Sequence, residues 1–209
     1  MVVDKKLTSL NPKWLRAREI MGRNMFGIEE AIKHFGVNPS KDQLAALAEV
    51  TFSEQELSGK KDTHVLVAVF PLSILEIRGK VAESSLFYDQ DWYNKEAFAK
   101  GKGILSWHLV RKTPVANSTS KRWDEQQALL AKNEQTPTAQ VMVYTIIGQY
   151  LATGERLFEN VYVRCSDLGS DSNRVYVGLF DSRGLDVVNF WDVSRGDSLG
   201  VASSRKFQS

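Results

Sequence analysis

The sequence HVLVAVF at residues 64–70 decides the fold class, because it separates a helical N-terminal part from a mixed remainder. The run is too short for a solitary helix, and its valines favour extended backbone. Pro71 follows it and has no backbone N–H to donate to a sheet. The sequence therefore predicts a buried strand that ends at Pro71.

Upstream of this strand, three helices are predicted. Asn11 is the expected N-cap of the first helix, Pro12 suits its first position, and Gly22 follows its last apolar residue. A second short helix is predicted at 28–35 and stops at a glycine, and a third starts at Ser40. This part of the chain is therefore expected to be helical.

Downstream of the strand, helix and strand patterns are mixed. Residues 104–111 alternate as a half-buried strand does, and 141–151 are so rich in apolar residues that they predict the central core helix. Thr136 is the expected N-cap of this helix, and Gly154 ends it. The remaining predictions are a helix at 123–132, a strand at 157–165 with Val161, Val163 and Cys165 inward, and short strands joined by loops beyond it.

Together these elements predict an α+β protein. We expect two parts, an N-terminal helical extension at 1–60 and a ligand-binding domain at 61–209.

The bulk composition excludes several classes of function. The formal charge is +2, from 27 basic and 25 acidic residues, so nucleic acid is not an expected partner. Cys165 is the single cysteine, which excludes a disulfide framework and a cysteine-cluster zinc site. No apolar run approaches the ~20 residues that span a bilayer, and the N-terminus begins polar. We expect cytoplasmic synthesis without a signal peptide and no membrane insertion, and leave a virion or cell-surface destination open.

The last forty residues have an unusual composition. Residues 167–205 contain no Lys, Glu, Gln or Met, whereas residues 1–166 contain 14, 13, 8 and 4 of them. At the upstream frequency about nine would be expected. A segment rich in loops and strands favours Asp, Ser, Gly and Val over helix formers, and this is one explanation of the gap.

A second explanation lies in the genetic code. Codons of the form any-any-pyrimidine cannot encode Lys, Glu, Gln, Met or Trp, so diversification of two codon positions would leave this composition. Such a segment has to tolerate change, which is possible where side chains point outward from loops on a rigid frame. The pattern of 174–180 and 185–188 alternates in part, with Val175 and Val177 inward and Tyr176 and Gly178 outward, and Leu179 breaks it at an expected bulge.

On these residues the chain resembles the variable proteins of diversity-generating retroelements. The resemblance is carried by Phe190-Trp191-Asp192, by Arg195 and by the run LGVASSRKF at 199–207. The segments WHLVRK at 107–112 and YLATGER at 150–156 are similar to such proteins from uncultivated microbes and their viruses. In this family a reverse transcriptase copies a template with adenine-directed errors. The resemblance covers the chain from about residue 64.

The resemblance implies a C-type lectin-like fold of the formylglycine-generating-enzyme type, with a variable region at about 174–204. It implies a hypervariable surface that binds an unknown ligand, most simply a protein or a cell-surface molecule. Phe190 and Tyr176, if exposed, would be the anchors of binding. The implied ligand-facing residues are Tyr176, Gly178, Leu179, Asp186, Val188, Asn189, Phe190, Val193, Ser194, Gly196 and Ser198. The implied scaffold residues are Trp191, whose indole is expected to anchor the loop core, Arg195, Gly200 and Arg205.

An enzymatic function is not expected. An enzyme of the formylglycine-generating type would need a reactive cysteine pair, and this chain has only Cys165. The histidines His34, His64 and His108 are scattered and show no metal-ligand spacing.

Two alternatives remain beside a diversified binder. Asp167, Asp171 and Asn173 suggest a cation loop, so a calcium-dependent lectin stays open, although the spacing is not that of an EF-hand and no cofactor is expected. The other alternative is a structural or assembly component of a virion or surface complex, whose C-terminal loops merely cap the fold.

Overall fold

The computed structural model describes residues 12–81 and 84–205. It contains helices and two small sheets, which confirms the α+β class. Asn11, the expected N-cap, and residues 206–207, the end of the C-terminal motif, lie outside the described residues.

The α-helices of the described chain lie mainly before the second sheet. They are α1 (Pro12–Met21), α2 (Ile28–Phe35), α3 (Lys41–Ala46), α4 (Glu54–Lys60), α5 (Ile74–Lys80), α6 (Ala97–Lys100), α7 (Trp123–Gln127) and α8 (Ala139–Thr153). Short 3-10 turns occur at Gly22–Asn24, Ser84–Leu86 and Trp92–Lys95.

Within residues 12–81 and 84–205 the strands form one sheet of five and one of four. They are β1 (Met25–Phe26), β2 (His64–Val69), β3 (Ser106–Arg111), β4 (Glu134–Gln135), β5 (Tyr162–Leu168), β6 (Arg174–Asp181), β7 (Gly184–Phe190), β8 (Leu199–Val201) and β9 (Ser204–Arg205). The five-stranded sheet has the order β1-β2-β3-β9-β4, and the four-stranded sheet has the order β7-β6-β5-β8.

The predicted strand is β2, which ends at Val69, one residue before the end of HVLVAVF, and all seven residues of that run are buried. It pairs parallel with β1 and antiparallel with β3. Phe26 of β1 meets Tyr144 of α8 edge-on at 5.8 Å between ring centroids. On the opposite face, Trp107 of β3 donates its indole N–H to the carbonyl of Leu47 at 3.1 Å. The sheet is therefore covered on one side by α8 together with α2, whose Phe35 lies 4.7 Å from Tyr144, and on the other side by the segment around Leu47.

The predicted boundary at residue 60 does not coincide with a break in the core. Phe26 and Phe35 belong to the same buried cluster as residues of α8 and of both sheets. Gly148 of α8 lies so close to the Phe26 ring that a Cβ there would be 3.0 Å from it. The N-terminal helices are a layer of the fold rather than an appendage.

The central helix α8 joins the two sheets. It contacts β1 and β2 of the first sheet and β5 and β6 of the second. Its N-cap is Thr138, whose hydroxyl accepts from the Val141 N–H at 3.2 Å, so the prediction of Thr136 was wrong by two residues. The helix ends at Gly154 with a left-handed φ of 75°, as predicted.

Two other boundaries differ from the prediction. The strand expected at 157–165 begins only at Tyr162, because Phe158 has a left-handed φ of 56° that a strand cannot accommodate. Val163 and Cys165 are buried as expected. The helix expected at 123–132 ends at Gln127, because a turn follows that leads the chain into β4.

The second sheet contains the segment of unusual composition. β6 and β7 form an antiparallel hairpin, and β8 returns parallel to β5. The β6–β7 register shifts between Gly178 and Asp181, where Leu179 breaks the alternation, which confirms the predicted bulge.

Candidate ligand-binding site

The candidate site is built around residues 191–198, which connect β7 to β8 and are called the C-terminal loop below. Val175 and Val177 of β6 point toward the core, so the opposite face of the sheet carries Tyr176 and its cross-strand partner Arg164. The C-terminal loop covers this second face.

Arg164 is fully buried, and its acceptors among the described residues are all uncharged oxygens. It donates to the carbonyl of Ser194 at 2.6 Å and to Oε1 of Gln126 at 2.7 Å. It also donates to the Tyr176 hydroxyl at 3.2 Å, with the guanidinium 5.1 Å from the centroid of that ring. A buried cation is stable only when its N–H groups are satisfied, so Arg164 fixes the oxygens around it.

Arg174 holds the same loop from another strand. Its guanidinium binds both carboxylate oxygens of Asp192, at 3.0 and 2.9 Å. It also lies over the Trp123 ring, 3.9 Å from the centroid. A bidentate arginine–carboxylate pair fixes direction as well as distance. Asp192, next to the exposed end of β7, is thereby locked in place.

Backbone hydrogen bonds complete the frame of the C-terminal loop. The Trp123 N–H donates to the Asp192 carbonyl at 2.9 Å, and the Ser120 N–H donates to the Gly196 carbonyl at 2.7 Å. Within the loop, the Ser194 N–H donates to the Trp191 carbonyl at 3.0 Å. The backbone of the C-terminal loop is therefore hydrogen-bonded at several points, on the side that faces the sheet.

The outer side of the loop and the adjoining end of β7 present large apolar side chains. Phe190, Trp191 and Val193 are 51%, 62% and 67% exposed. The rings of Phe190 and Trp191 meet at 5.2 Å and 72°, close to an edge-to-face pair. The prediction that Trp191 anchors the loop core is wrong, because Arg164, Arg174 and the backbone bonds hold the loop and leave the indole in solvent.

Beside these side chains lies a cleft of about 550 Å³. Its lining includes six of the residues that the resemblance implies as ligand-facing: Tyr176, Val188, Asn189, Phe190, Ser194 and Gly196. Gln90, Trp92 and Tyr162 also line it, from outside the C-terminal segment.

Tyr176 lies at the base of the cleft and is only 4% exposed, contrary to the expected outward position. Its hydroxyl donates to the Trp191 carbonyl at 3.1 Å and accepts from Arg164. Burial raises the pKa of this hydroxyl, although Arg164 opposes the shift. The alternation correctly places Tyr176 away from the core, but the C-terminal loop covers it.

Gly178 and Leu179 are also unsuited to the role implied for them. A Cβ at Gly178 would stand 2.1 Å from the Val161 carbonyl oxygen, and the φ of 155° disfavours other residues. Leu179 is half-buried in the bulge with a φ of 42°, which is strained for a leucine. Both positions shape the strand rather than the surface.

The other implied ligand-facing positions are exposed or half-exposed. Asp186, Val188, Asn189, Ser194 and Gly196 are half-buried, and Phe190, Val193 and Ser198 are exposed.

Asp186 is bonded to two lining residues of the cleft that the sequence did not single out. Tyr162 donates its hydroxyl to Oδ2 of Asp186, and Gln90 donates to Oδ1 at 2.9 Å. Burial and the bond to Asp186 raise the pKa of Tyr162. Trp92 donates its indole N–H to the Val187 carbonyl at 2.8 Å. Gln90 and Trp92 lie far from the segment in sequence, and no local pattern indicated this contact.

The remaining implied scaffold residues support the loop and the sheet ends. Arg195 is half-exposed and pairs with Glu125 at 2.9 Å. Gly200 is buried, and a Cβ there would be 2.5 Å from Pro114. Arg205 pairs with Glu56 of α4.

The acidic residues of the expected cation loop are bonded to protein donors. Asp167 accepts from the Ala139 N–H at 2.6 Å, at the start of α8. Asp171 accepts from the side chains of Asn173 and Asn189 at 2.8 and 2.9 Å. No group of three or more His, Cys, Asp or Glu side chains that could hold a metal occurs within 12–81 and 84–205.

Cys165 lies on the core side of β5 and is fully buried. Desolvation raises the pKa of its thiol well above the ordinary value. A buried, protonated thiol is a poor nucleophile.

Comparisons with protein-family models, with curated proteins and with solved structures gave no significant match. In the part of the chain that the structure describes, no helix combines the length and apolar composition needed to cross a bilayer.

Proposed function

We propose that this protein is a non-enzymatic ligand-binding protein that displays a diversified surface, like the variable proteins of diversity-generating retroelements. The proposal includes a C-type lectin-like scaffold and a protein or cell-surface molecule as ligand. One observation carries it: three large apolar side chains project from the end of β7 and the C-terminal loop, where Arg164 holds the Ser194 carbonyl and Arg174 holds the Asp192 carboxylate. Exposed side chains on a fixed backbone can change without refolding the chain.

The composition of 167–205 supports the same proposal. The absence of Lys, Glu, Gln and Met coincides with the segment that forms β6, β7 and the C-terminal loop. Within this proposal Trp191 is a constant residue, because any-any-pyrimidine codons cannot encode it. Since Trp191 is exposed, its proposed role is a constant aromatic contact surrounded by side chains that differ between copies.

The positions proposed to vary are those of the implied set that reach the surface without backbone strain. They are Asp186, Val188, Asn189, Phe190, Val193, Ser194, Gly196 and Ser198. Tyr176, Gly178 and Leu179 are proposed as constant, because their burial or φ values restrict replacement.

Sequencing the native locus tests this proposal. We expect a near-copy of the DNA that encodes about 185–204, differing where it carries adenine, beside a reverse-transcriptase gene. Differences confined to codons of the surface positions would support the assignment above. A locus without any such copy would overturn diversification and favour the alternative of an assembly component.

A further inference from the structure

A second and larger cavity lies apart from the C-terminal cleft, at the N-terminal end of α8. Its volume is about 960 Å³, within the range of small-molecule sites in proteins. It is bounded by the start of β3, by the segment 97–105, by residues 135–141 and by Ser166 and Asp167 of β5. None of these residues lines the C-terminal cleft.

The walls of this cavity are largely apolar and include two aromatic rings. Trp107 and Phe98 line it together with Leu105 and Val141. Flat aromatic walls accommodate a ligand with an apolar body and attract a cation that lies over a ring.

The charged groups of the cavity are predominantly acidic. Among the described lining residues, Glu49 and Asp167 are the carboxylates and Lys102 is the only lysine or arginine, and Lys102 is bound to Glu76 outside the cavity at 2.9 Å. His108 also lines the cavity, and burial lowers its pKa to about 4, so it is neutral at pH 7. The described lining thus has two carboxylates and one ammonium group, which favours a positively charged ligand.

Two hydrogen-bond acceptors in the cavity wall also favour a positively charged ligand. Asp167 is bonded to the Ala139 N–H through Oδ2, and desolvation raises the pKa of its carboxyl group although this bond and the charge of Arg174 oppose the shift. A cation beside it would offset that desolvation. Gln140 is buried and donates to the Leu72 carbonyl at 2.8 Å, but its Oε1 has no hydrogen-bond partner among the described residues. A buried acceptor without a donor costs free energy that a ligand N–H would recover.

We propose that this cavity binds a small aromatic molecule that carries a cationic nitrogen with N–H donors, with Asp167 as its main charged contact. The amine or amidine group lies toward Asp167, and the ring lies against the apolar wall of Trp107 and Phe98. This site is independent of the C-terminal surface and of its proposed function.

Benzamidine and benzoate are matched probes, because they share a ring and differ in the sign of charge. Calorimetric titration should give saturable binding of benzamidine with a Kd of about 1 mM or tighter, and no binding of benzoate up to about 10 mM. Equal binding of both probes, or the absence of benzamidine binding at these concentrations, would overturn the proposal. The comparison uses the unaltered protein, so it does not depend on a variant that folds.

The variant Asp167→Asn keeps an oxygen that can accept from Ala139 and removes the charge. It should weaken benzamidine binding at least about tenfold, whereas Asp171→Asn, on an exposed loop outside the cavity, should leave it unchanged. Thermal melting followed by circular dichroism checks that both variants fold. Unchanged affinity in the Asp167 variant, or equal weakening in both, contradicts the assigned contact.

The indole N–H signals in nitrogen-15 spectra identify where the probe lies. Benzamidine should shift the Trp107 signal and leave Trp191 unperturbed, and a Trp191→Phe variant assigns the latter. Shifts of Trp191 alone would place the probe at the C-terminal loop and overturn the cavity site. Either result leaves the locus test of the proposed function unaffected.

Discussion

The two sides of the C-terminal loop differ in how their groups are held. On the underside, Arg164 and Arg174 bind the carbonyl of Ser194 and the carboxylate of Asp192. On the outer side, Phe190, Trp191 and Val193 project into solvent. The same short segment thus combines a fixed backbone with side chains that few neighbours constrain. This combination is what a recognition surface that changes between copies requires.

Tyr176 and Phe190 show the same difference within one predicted set. Both are aromatic residues of neighbouring strands, yet Tyr176 is buried beneath the loop and Phe190 is exposed at the end of β7. Replacement of Tyr176 changes a hydrogen-bond network, whereas replacement of Phe190 changes mainly surface. The predictions below test this division in order of the expected effect on stability.

The largest effect is expected for Gly178→Val. A side chain at this position meets the Val161 carbonyl and forces an unfavourable φ, so we expect a loss of about 4 kcal/mol in the free energy of unfolding. Urea denaturation measures it. Gly196→Ala is the matched control, because its nearest atom is the Leu199 Cβ at 3.3 Å, and it should cost less than about 1 kcal/mol. Similar losses at both glycines would contradict the distinction between buried positions that hold the fold and exposed positions that can change.

A somewhat smaller loss is expected for Arg164→Met, which keeps an unbranched apolar side chain in the buried position. The oxygens of Ser194 and Gln126 lose their donor, and we expect destabilisation of about 3 kcal/mol. Arg195→Met removes an exposed pair with Glu125 and should change stability by less than about 0.5 kcal/mol. An Arg164 variant as stable as the Arg195 variant would show that the loop does not depend on the buried guanidinium.

The elements governed by local signals were predictable from the sequence. β2 is a short β-branched run before a proline, and α2 stops at Gly36, which has a left-handed φ of 57°. The bulge at Leu179 was visible as a break in alternation. In each case the cause lies within a few residues of the element itself.

Local signals did not predict that the C-terminal loop covers the Tyr176 face of the four-stranded sheet. Alternation along β6 states that Tyr176 points away from the core, but not that a loop fifteen residues later lies over it. Arg164 gave no signal either, because an arginine in a strand ordinarily indicates a solvated face. Gln90 and Trp92 reach the cleft only through tertiary packing. The frame of the site depends on contacts between distant segments, and a single sequence does not encode these as a pattern.

A modest effect is expected for Tyr176→Phe. The ring remains, but the Trp191 carbonyl loses a donor and Arg164 loses an acceptor, so the cost should be about 1 kcal/mol. Urea denaturation of the variant and of Tyr88→Phe, on an exposed ring, gives the comparison. Equal stability of the two variants would mean that the buried hydroxyl contributes nothing to holding the loop.

The smallest effect is expected for Phe190→Ser and Val193→Ser. Both side chains are mainly in solvent, so the free energy of unfolding should change by less than about 0.5 kcal/mol. Phe180→Ala is the matched control, because this phenylalanine of the same hairpin is fully buried and its truncation should cost about 3–5 kcal/mol.

Denaturation midpoints of these three variants decide between the two functional classes. Tolerance at Phe190 and Val193 together with intolerance at Phe180 places the free positions on the outer side of the hairpin end and loop, as a diversified binder requires. Losses above about 2 kcal/mol at both exposed positions would mean that these side chains stabilise the fold itself. The C-terminal loop would then be a structural cap, and the assembly component would be the better explanation of the molecule.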